Sequence, residues 1–268
     1  MQVINRSEKY LTGVVKFWFV LATIGQFAFG IYVLSFYGGS TIQGDFAKWN
    51  DVLPHGYTPG DWKGNLTVGI HVILAAILIF GGPLQIMPFI RNRFGKFHRI
   101  LGKVYLVTAV LVSVAGVVMV FTQGSVGDQT MHYLICVQVI YILWFAVKTI
   151  QEARSKNFES HRKWALRLFM VINGVWFFRI GLMAWLFVFQ KPVGFDPETF
   201  TGPFLTTLSV FTYAIPIALV LLESYFYAQK RANPIVNWAA SFFITIFSLV
   251  TLLGVMGAII GLWLPRIF

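Results

Sequence analysis

HRILGKVYLVTAVLVSVAGVVMVFT, residues 98–122, decides the fold. After Lys103 no charged side chain appears until Asp128. A helix that crosses the hydrocarbon core of a bilayer needs about 20 mostly apolar residues. Lipid offers no partner to a bare backbone amide, so a run of this length predicts a helix. The apolar-polar alternation of a transmembrane barrel strand is missing. Six further runs of the same kind lie on either side, at 12–36, 66–90, 130–150, 162–189, 203–228 and 235–264. The expectation is an all-α fold, a polytopic transmembrane helix bundle of about seven spans forming one membrane domain over residues 1–268.

Composition agrees. Hydrophobic residues make up 57% of the 268 and charged residues only 12%. A soluble domain carries about 25% charged residues, so this chain lacks the polar groups to cover a surface in water. The net charge is +11, from 21 Lys and Arg against 10 Asp and Glu. Those cations sit in short connections between apolar runs, and the aromatics sit inside the runs, so no nucleic-acid partner is expected. The lone Cys136 can form no internal disulfide and reads as packing.

The distribution of charge sets the orientation. Segment 91–103 carries Arg91, Arg93, Lys96, Arg99 and Lys103 without an acid, and 148–167 carries Lys148, Arg154, Lys156, Arg162, Lys163 and Arg167 against Glu152 and Glu159. Lys230 and Arg231 follow in the next connection of the same parity. The intervening connections are acidic or neutral. By the positive-inside rule the N-terminus is cytoplasmic and the C-terminus outside, as expected for a multi-pass protein of the plasma (inner) membrane. The connection 37–65 is the longest. Its Gly, Pro, Trp and Tyr residues predict turns resting at the membrane interface. Pro83 and Pro88 are expected to kink or end the second span, and Pro216 to kink the sixth.

The chemistry-capable side chains near the membrane are histidines. His55 falls in the outer connection and is set aside. His71 lies early in the second run, His98 opens the third, His132 lies early in the fourth and His161 opens the fifth. Successive spans alternate in direction. His71 and His132 therefore share the outer side, and His98 and His161 the inner side. Two imidazoles from facing helices can bind one haem iron from opposite faces, and bundle cores are where such sites are built. This predicts haem b, one or two, as cofactor, with a quinone or a redox partner protein exchanging the electrons. Arg179 lies about five helical turns beyond His161, on the same face, and a haem propionate is its candidate partner; an acid or a backbone carbonyl is the plainer one. Tyr105 shares a face with His98, and Gln85 shares one with His71. Against this, His71 precedes Arg91 by about 30 Å of helix, which puts His98 and His161 at headgroup level. The alternative is a non-haem transporter or structural membrane protein whose basic histidine motifs bind anionic lipid headgroups. No HxxxH zinc motif, phosphate-binding glycine loop or nucleophile elbow occurs.

GGPLQIMPFIRNRFGKFHRILGKVYLVTA (81–109), HRKWALRLFM (161–170) and Arg179 together resemble a bacterial family of predicted membrane proteins, domain of unknown function 2306. That resemblance implies a bacterial multi-span membrane protein and no established activity. In layout alone, four histidines on four consecutive helices are similar to the cytochrome b-561 type of dihaem protein, where ligands pair between alternate helices. The layout implies pairing of His71 with His132 and of His98 with His161.

Overall fold

The computed structural model describes residues 6–53, 56–122 and 127–267. His55 lies outside them. Among the described residues twelve α-helices follow one another: α1 (Arg6–Val33), α2 (Gly39–Gln43), α3 (Trp62–Ile86), α4 (Pro88–Arg93), α5 (Gly95–Thr122), α6 (Gln129–Arg154), α7 (Phe158–Ile172), α8 (Gly174–Phe189), α9 (Pro203–Ser209), α10 (Ile217–Arg231), α11 (Pro234–Ala258) and α12 (Leu264–Ile267). Five helical stretches are long and apolar enough to cross a membrane alone. Two bent pairs, each taken as one broken span, bring the number to seven.

Polar residues start the helices. Asp61, Asp128 and Asn157 accept hydrogen bonds from the backbone amides of Gly64, Met131 and Ser160, at 3.0, 2.9 and 3.3 Å, and Asn233 caps α11 from just before Pro234. Each supplies an acceptor to an amide that the first turn leaves unpaired. The second span ends at Ile86, Met87 is extended ahead of Pro88, and Pro88 opens the short α4. Steric conflict between a proline ring and the preceding residue produces this stop. Pro83, in contrast, stays inside α3.

The sixth span breaks at Ile215-Pro216 with a bend of 44°. The fifth breaks by 51° at Asn173, between α7 and α8, and no proline causes it. Both breaks free backbone carbonyls, and α6 supplies donors to each. Gln138 Nε2 donates to the Val171 carbonyl at 2.6 Å, and the Tyr141 hydroxyl donates to the Ala214 carbonyl at 3.1 Å. These two side chains are three residues apart and so lie on one face of α6. Asn173 Nδ2 donates to the Phe169 carbonyl at 2.8 Å, and Gln26 Nε2 of α1 donates to Asn173 Oδ1 at 3.1 Å. Non-helical backbone persists at membrane depth where protein groups satisfy it in this way.

Helices α3, α5, α6 and α7 form a four-helix bundle. α3 packs along α5, α5 along α6, and α6 along α7. The fourth side closes where the Phe169 ring of α7 fills the space at Gly82 of α3. One buried core takes Leu78, Tyr105, Ala109, Ile142, Phe145, Leu168 and Val171 from all four. The pairs α3/α6 and α5/α7 are thus the diagonals.

α11 runs between α1 and α8 and seals the other side. Its buried Asn237, Ser241, Ile244, Ser248, Thr251, Val255 and Ala258 recur every three or four residues. Lipid tails are as apolar as leucine, so close contact of small residues, rather than expulsion of water, holds helices together here. At Gly254 a Cβ would strike the Ile180 carbonyl of α8.

The connection 37–65 packs against the helices through one of its tryptophans. Trp49 is buried, and its indole Nε1 donates to Ser40 Oγ at 3.0 Å. Its ring meets Tyr37 and Phe46 edge-on. Cys136 is half-buried.

Candidate functional site

At one end of the bundle, α5 brings in His98 within its first turns and α7 does the same with His161. The two imidazoles lie in each other's electrostatic range, with Arg91 also near His98. Their helices are diagonal partners in the bundle. His161 Nδ1 lies 3.0 Å from the carbonyl oxygen of Thr149. A carbonyl only accepts, so Nδ1 carries the proton, and in the neutral ring the lone pair is on Nε2. Helical hairpin geometry makes this contact. Thr149 precedes Ser155 by six residues and His161 follows it by six, which places them opposite each other on antiparallel α6 and α7.

His98 is held through its backbone. Gln85 Nε2 of α3 donates to the His98 carbonyl at 3.0 Å. Its ring Nδ1 is buried with no hydrogen-bond partner among the described residues, and so is the Tyr105 hydroxyl two turns further along α5. Beside the pair, Arg167 of α7 holds Glu223 of α10 through two bonds, Nε–Oε1 at 2.6 Å and Nη2–Oε2 at 2.9 Å. The guanidinium also lies 4.6 Å from the centre of the Trp164 ring. Glu223 is therefore committed to Arg167.

At the other end of the bundle, His71 of α3 has a buried Nδ1 with no hydrogen-bond partner among the described residues. It lies within the field of Arg179 on α8. Arg179 is half-buried and stands over the Phe29 ring of α1 at 5.5 Å. Among the described residues no ion pair or hydrogen bond reaches Arg179. Its field also covers Tyr37 and Tyr213. Nearby, the Tyr32 hydroxyl is buried and has no hydrogen-bond partner among the described residues. This is a cationic region beside tyrosines, with no acid paired to Arg179 among the described residues. Cation–π contact with Phe29 offsets part of the cost of a charge at this depth.

His132 lies in the first turn of α6, half-buried, on the helix diagonal to α3. The five residues singled out from the sequence thus fall into one group at the start of α5 and α7, His98 with His161, and a second at the opposite end of the bundle, His71 with Arg179, with His132 on the corner diagonal to α3. Among the described residues no group of three or more His, Cys, Asp or Glu is gathered for a metal ion. A bis-imidazole site needs only two.

Reading the sequence alone misses Gln138, Thr149, Gln26 and Asn173. The Asn173-Gly174 dipeptide is a turn signal inside an apolar run. Gln138 is recoverable from hairpin register, since it precedes Ser155 by 17 residues and Val171 follows it by 16.

Neither a curated protein nor a solved structure matches the chain. A family model described as predicted membrane protein (DUF2306) matches residues 68–202, just over half of the sequence. That region contains His71, His98, His132, His161 and Arg179, together with α5, α6, α7 and all of α3 from Val68 onward. The chain is an integral membrane protein and belongs to the DUF2306 family.

Proposed function

We propose that this protein binds b-type haem between the diagonal helices of its four-helix bundle and moves electrons within the membrane. The observation that carries the reading is the inner pair. His98 and His161 come from diagonal helices into mutual range, and the Thr149 carbonyl holds His161 in the tautomer whose Nε2 is free to bind a metal. Metal-binding histidines characteristically donate their other ring nitrogen to a carbonyl or carboxylate. His98, with Nδ1 buried and unpaired, fits less completely.

His71 and His132 occupy the other diagonal at the outer end and would hold a second haem. Arg179, beside His71 and without an acid, is the group that would receive a propionate carboxylate. Haem held by two imidazoles supplies one-electron transfer with no open position on the iron. The chain's own contribution would be to present imidazole nitrogens, supply the counter-charge at Arg179 and exclude water by packing Tyr105, Phe145 and Phe169 around the axis. A quinone or a redox partner protein would exchange the electrons. With the N-terminus cytoplasmic in the plasma membrane, the inner pair would face the cytoplasm.

The two broken spans favour a second reading, a transporter for an anion. Interrupted helices near the bilayer midplane mark many transport sites, and Arg179 follows the Asn173 break on α8. Haem content separates the two. The wild-type protein should purify from haem-replete cells with haem bound. His98→Ala or His161→Ala should remove the inner haem alone, and His71→Ala or His132→Ala the outer haem alone. Purification of the folded wild type without haem would leave the transporter reading.

A further inference from the structure

A groove runs up the lipid-facing side of the molecule between α1 and α11, outside the family-matched region and away from the histidines. Its α1 wall is formed by Arg6, Lys9, Tyr10, Gly13 and Phe17, recurring every three or four residues on one face. Trp238 and Leu249 line the α11 wall. We propose that this groove is a binding site for an anionic phospholipid of the inner leaflet, with the phosphate at Arg6 and Lys9 and one acyl chain lying along Gly13 and Phe17.

Three features select that occupant. The first is charge at the mouth only. Arg6 and Lys9 are exposed, and neither takes part in the ion pairs among the described residues, which join Lys163 to Glu159 and Arg167 to Glu223. Glu8 is on the same helix but does not line the groove. Above the mouth the groove is apolar, because its two hydroxyls are already used. Thr245 donates to the Ser241 carbonyl and Ser248 to the Ile244 carbonyl, at 2.8 and 2.7 Å. A free phosphate has no use for that apolar length, and a neutral lipid has no use for the two cations.

The second feature is the aromatic bridge. Tyr10 and Trp238 meet across the groove with ring centroids 5.1 Å apart. Tyrosine and tryptophan settle at the headgroup boundary, where one end is wet and the other apolar, so the bridge marks the depth at which phosphate gives way to chain.

The third is room. A Cβ placed at Gly13 would meet no atom within 4 Å. The glycine is not needed for close helix packing, and its effect is to leave the floor of the groove open. From Arg6 to Phe17 the wall rises about 16 Å along the helix, much of one leaflet's apolar depth.

The test is lipid retention by the full-length protein in native mass spectrometry, with phosphatidylglycerol and phosphatidylcholine of matched chains as probes and inorganic phosphate as competitor. Each basic side chain near an anionic headgroup contributes roughly fivefold in affinity, so wild type should prefer phosphatidylglycerol by roughly twentyfold. The Arg6→Gln, Lys9→Gln double variant should lose that preference while keeping its melting temperature, since both residues are exposed. Gly13→Leu, which keeps both charges and fills the floor, should weaken retention of either lipid. Equal retention of the two lipids by wild type, an undiminished preference in the double variant, or displacement by millimolar phosphate alone would each overturn the proposal.

Discussion

The His161 imidazole donates from Nδ1 to the Thr149 carbonyl oxygen at 3.0 Å, across the hairpin formed by α6 and α7. The bond does two things to the inner site. It fixes the ring's orientation against α6, and it reserves Nε2 as the only nitrogen free to act. It also crosses between two helices on one side of the bundle, so whatever moves α6 relative to α7 moves the ring.

Because the acceptor is a main-chain oxygen, the Thr149 side chain is dispensable for it. The threonine hydroxyl instead donates to the Phe145 carbonyl on its own helix, at 2.7 Å. Thr149→Ala should therefore leave haem content and the visible spectrum unchanged, with a stability loss of about 1 kcal/mol or less. His161→Ala should abolish the inner haem signal. Equal losses in the two variants would show that the threonine, and not its carbonyl, orders the site.

The break in the fifth span depends on Gln138. Replacing it by Ala withdraws the donor from the buried Val171 carbonyl and should cost about 1–3 kcal/mol, read as a lower melting temperature in detergent. Gly174 gives an independent check. A Cβ there would lie 2.5 Å from Gln138 Nε2, so Gly174→Ala should displace the amide and destabilise to a similar degree. The two losses act through one contact. The double variant should therefore melt close to either single variant rather than at the sum of the two. Full additivity would show that Gly174 matters for another reason.

Much of the fold is legible in the sequence because lipid leaves few alternatives. Each of the seven apolar runs becomes a span or a bent pair, with ends displaced by a few residues, and Pro216 breaks the sixth span. The break at Asn173 is hidden, since Asn-Gly in an apolar run competes with the hydropathy of Met170, Val171, Val175 and Trp176 on either side. The depth of Trp49 is hidden for the opposite reason. A tryptophan in a polar connection reads as interfacial, and only the Ser40 hydroxyl, nine residues back, shows where its N–H is satisfied. At the site, helix direction places His98 and His161 on one side of the membrane. Which face each ring takes depends on helix rotation, and that is set by contacts such as Gln85 with the His98 carbonyl, which periodicity does not encode.

Arg167 and Glu223 join α7 to α10 below the break in each span. Glu223→Leu alone removes the partner of a guanidinium that keeps the rings of Trp164 and Phe226 beside it, and, because the pair is partly exposed, should destabilise by about 1 kcal/mol or less. Adding Arg167→Leu removes the stranded charge and should recover part of that loss. A double-mutant cycle with no coupling between the two would show that the pair contributes nothing in detergent.

Orientation is checked by reporter fusions. The connection holding Lys148, Arg154 and Lys156 is rich in cations, so a reporter fused after Lys156 should remain cytoplasmic, and one fused after Phe268 should be exported. Activity of the second fusion only in the cytoplasm would contradict seven spans with a cytoplasmic N-terminus.

The central claim is that diagonal histidines of the bundle hold haem. The most direct measurement is a reduced-minus-oxidised visible spectrum of the intact protein, purified in detergent from cells supplied with ample haem. The account predicts a b-type difference band that persists in Thr149→Ala and is diminished in His161→Ala. A folded, monodisperse protein with no such band would contradict it.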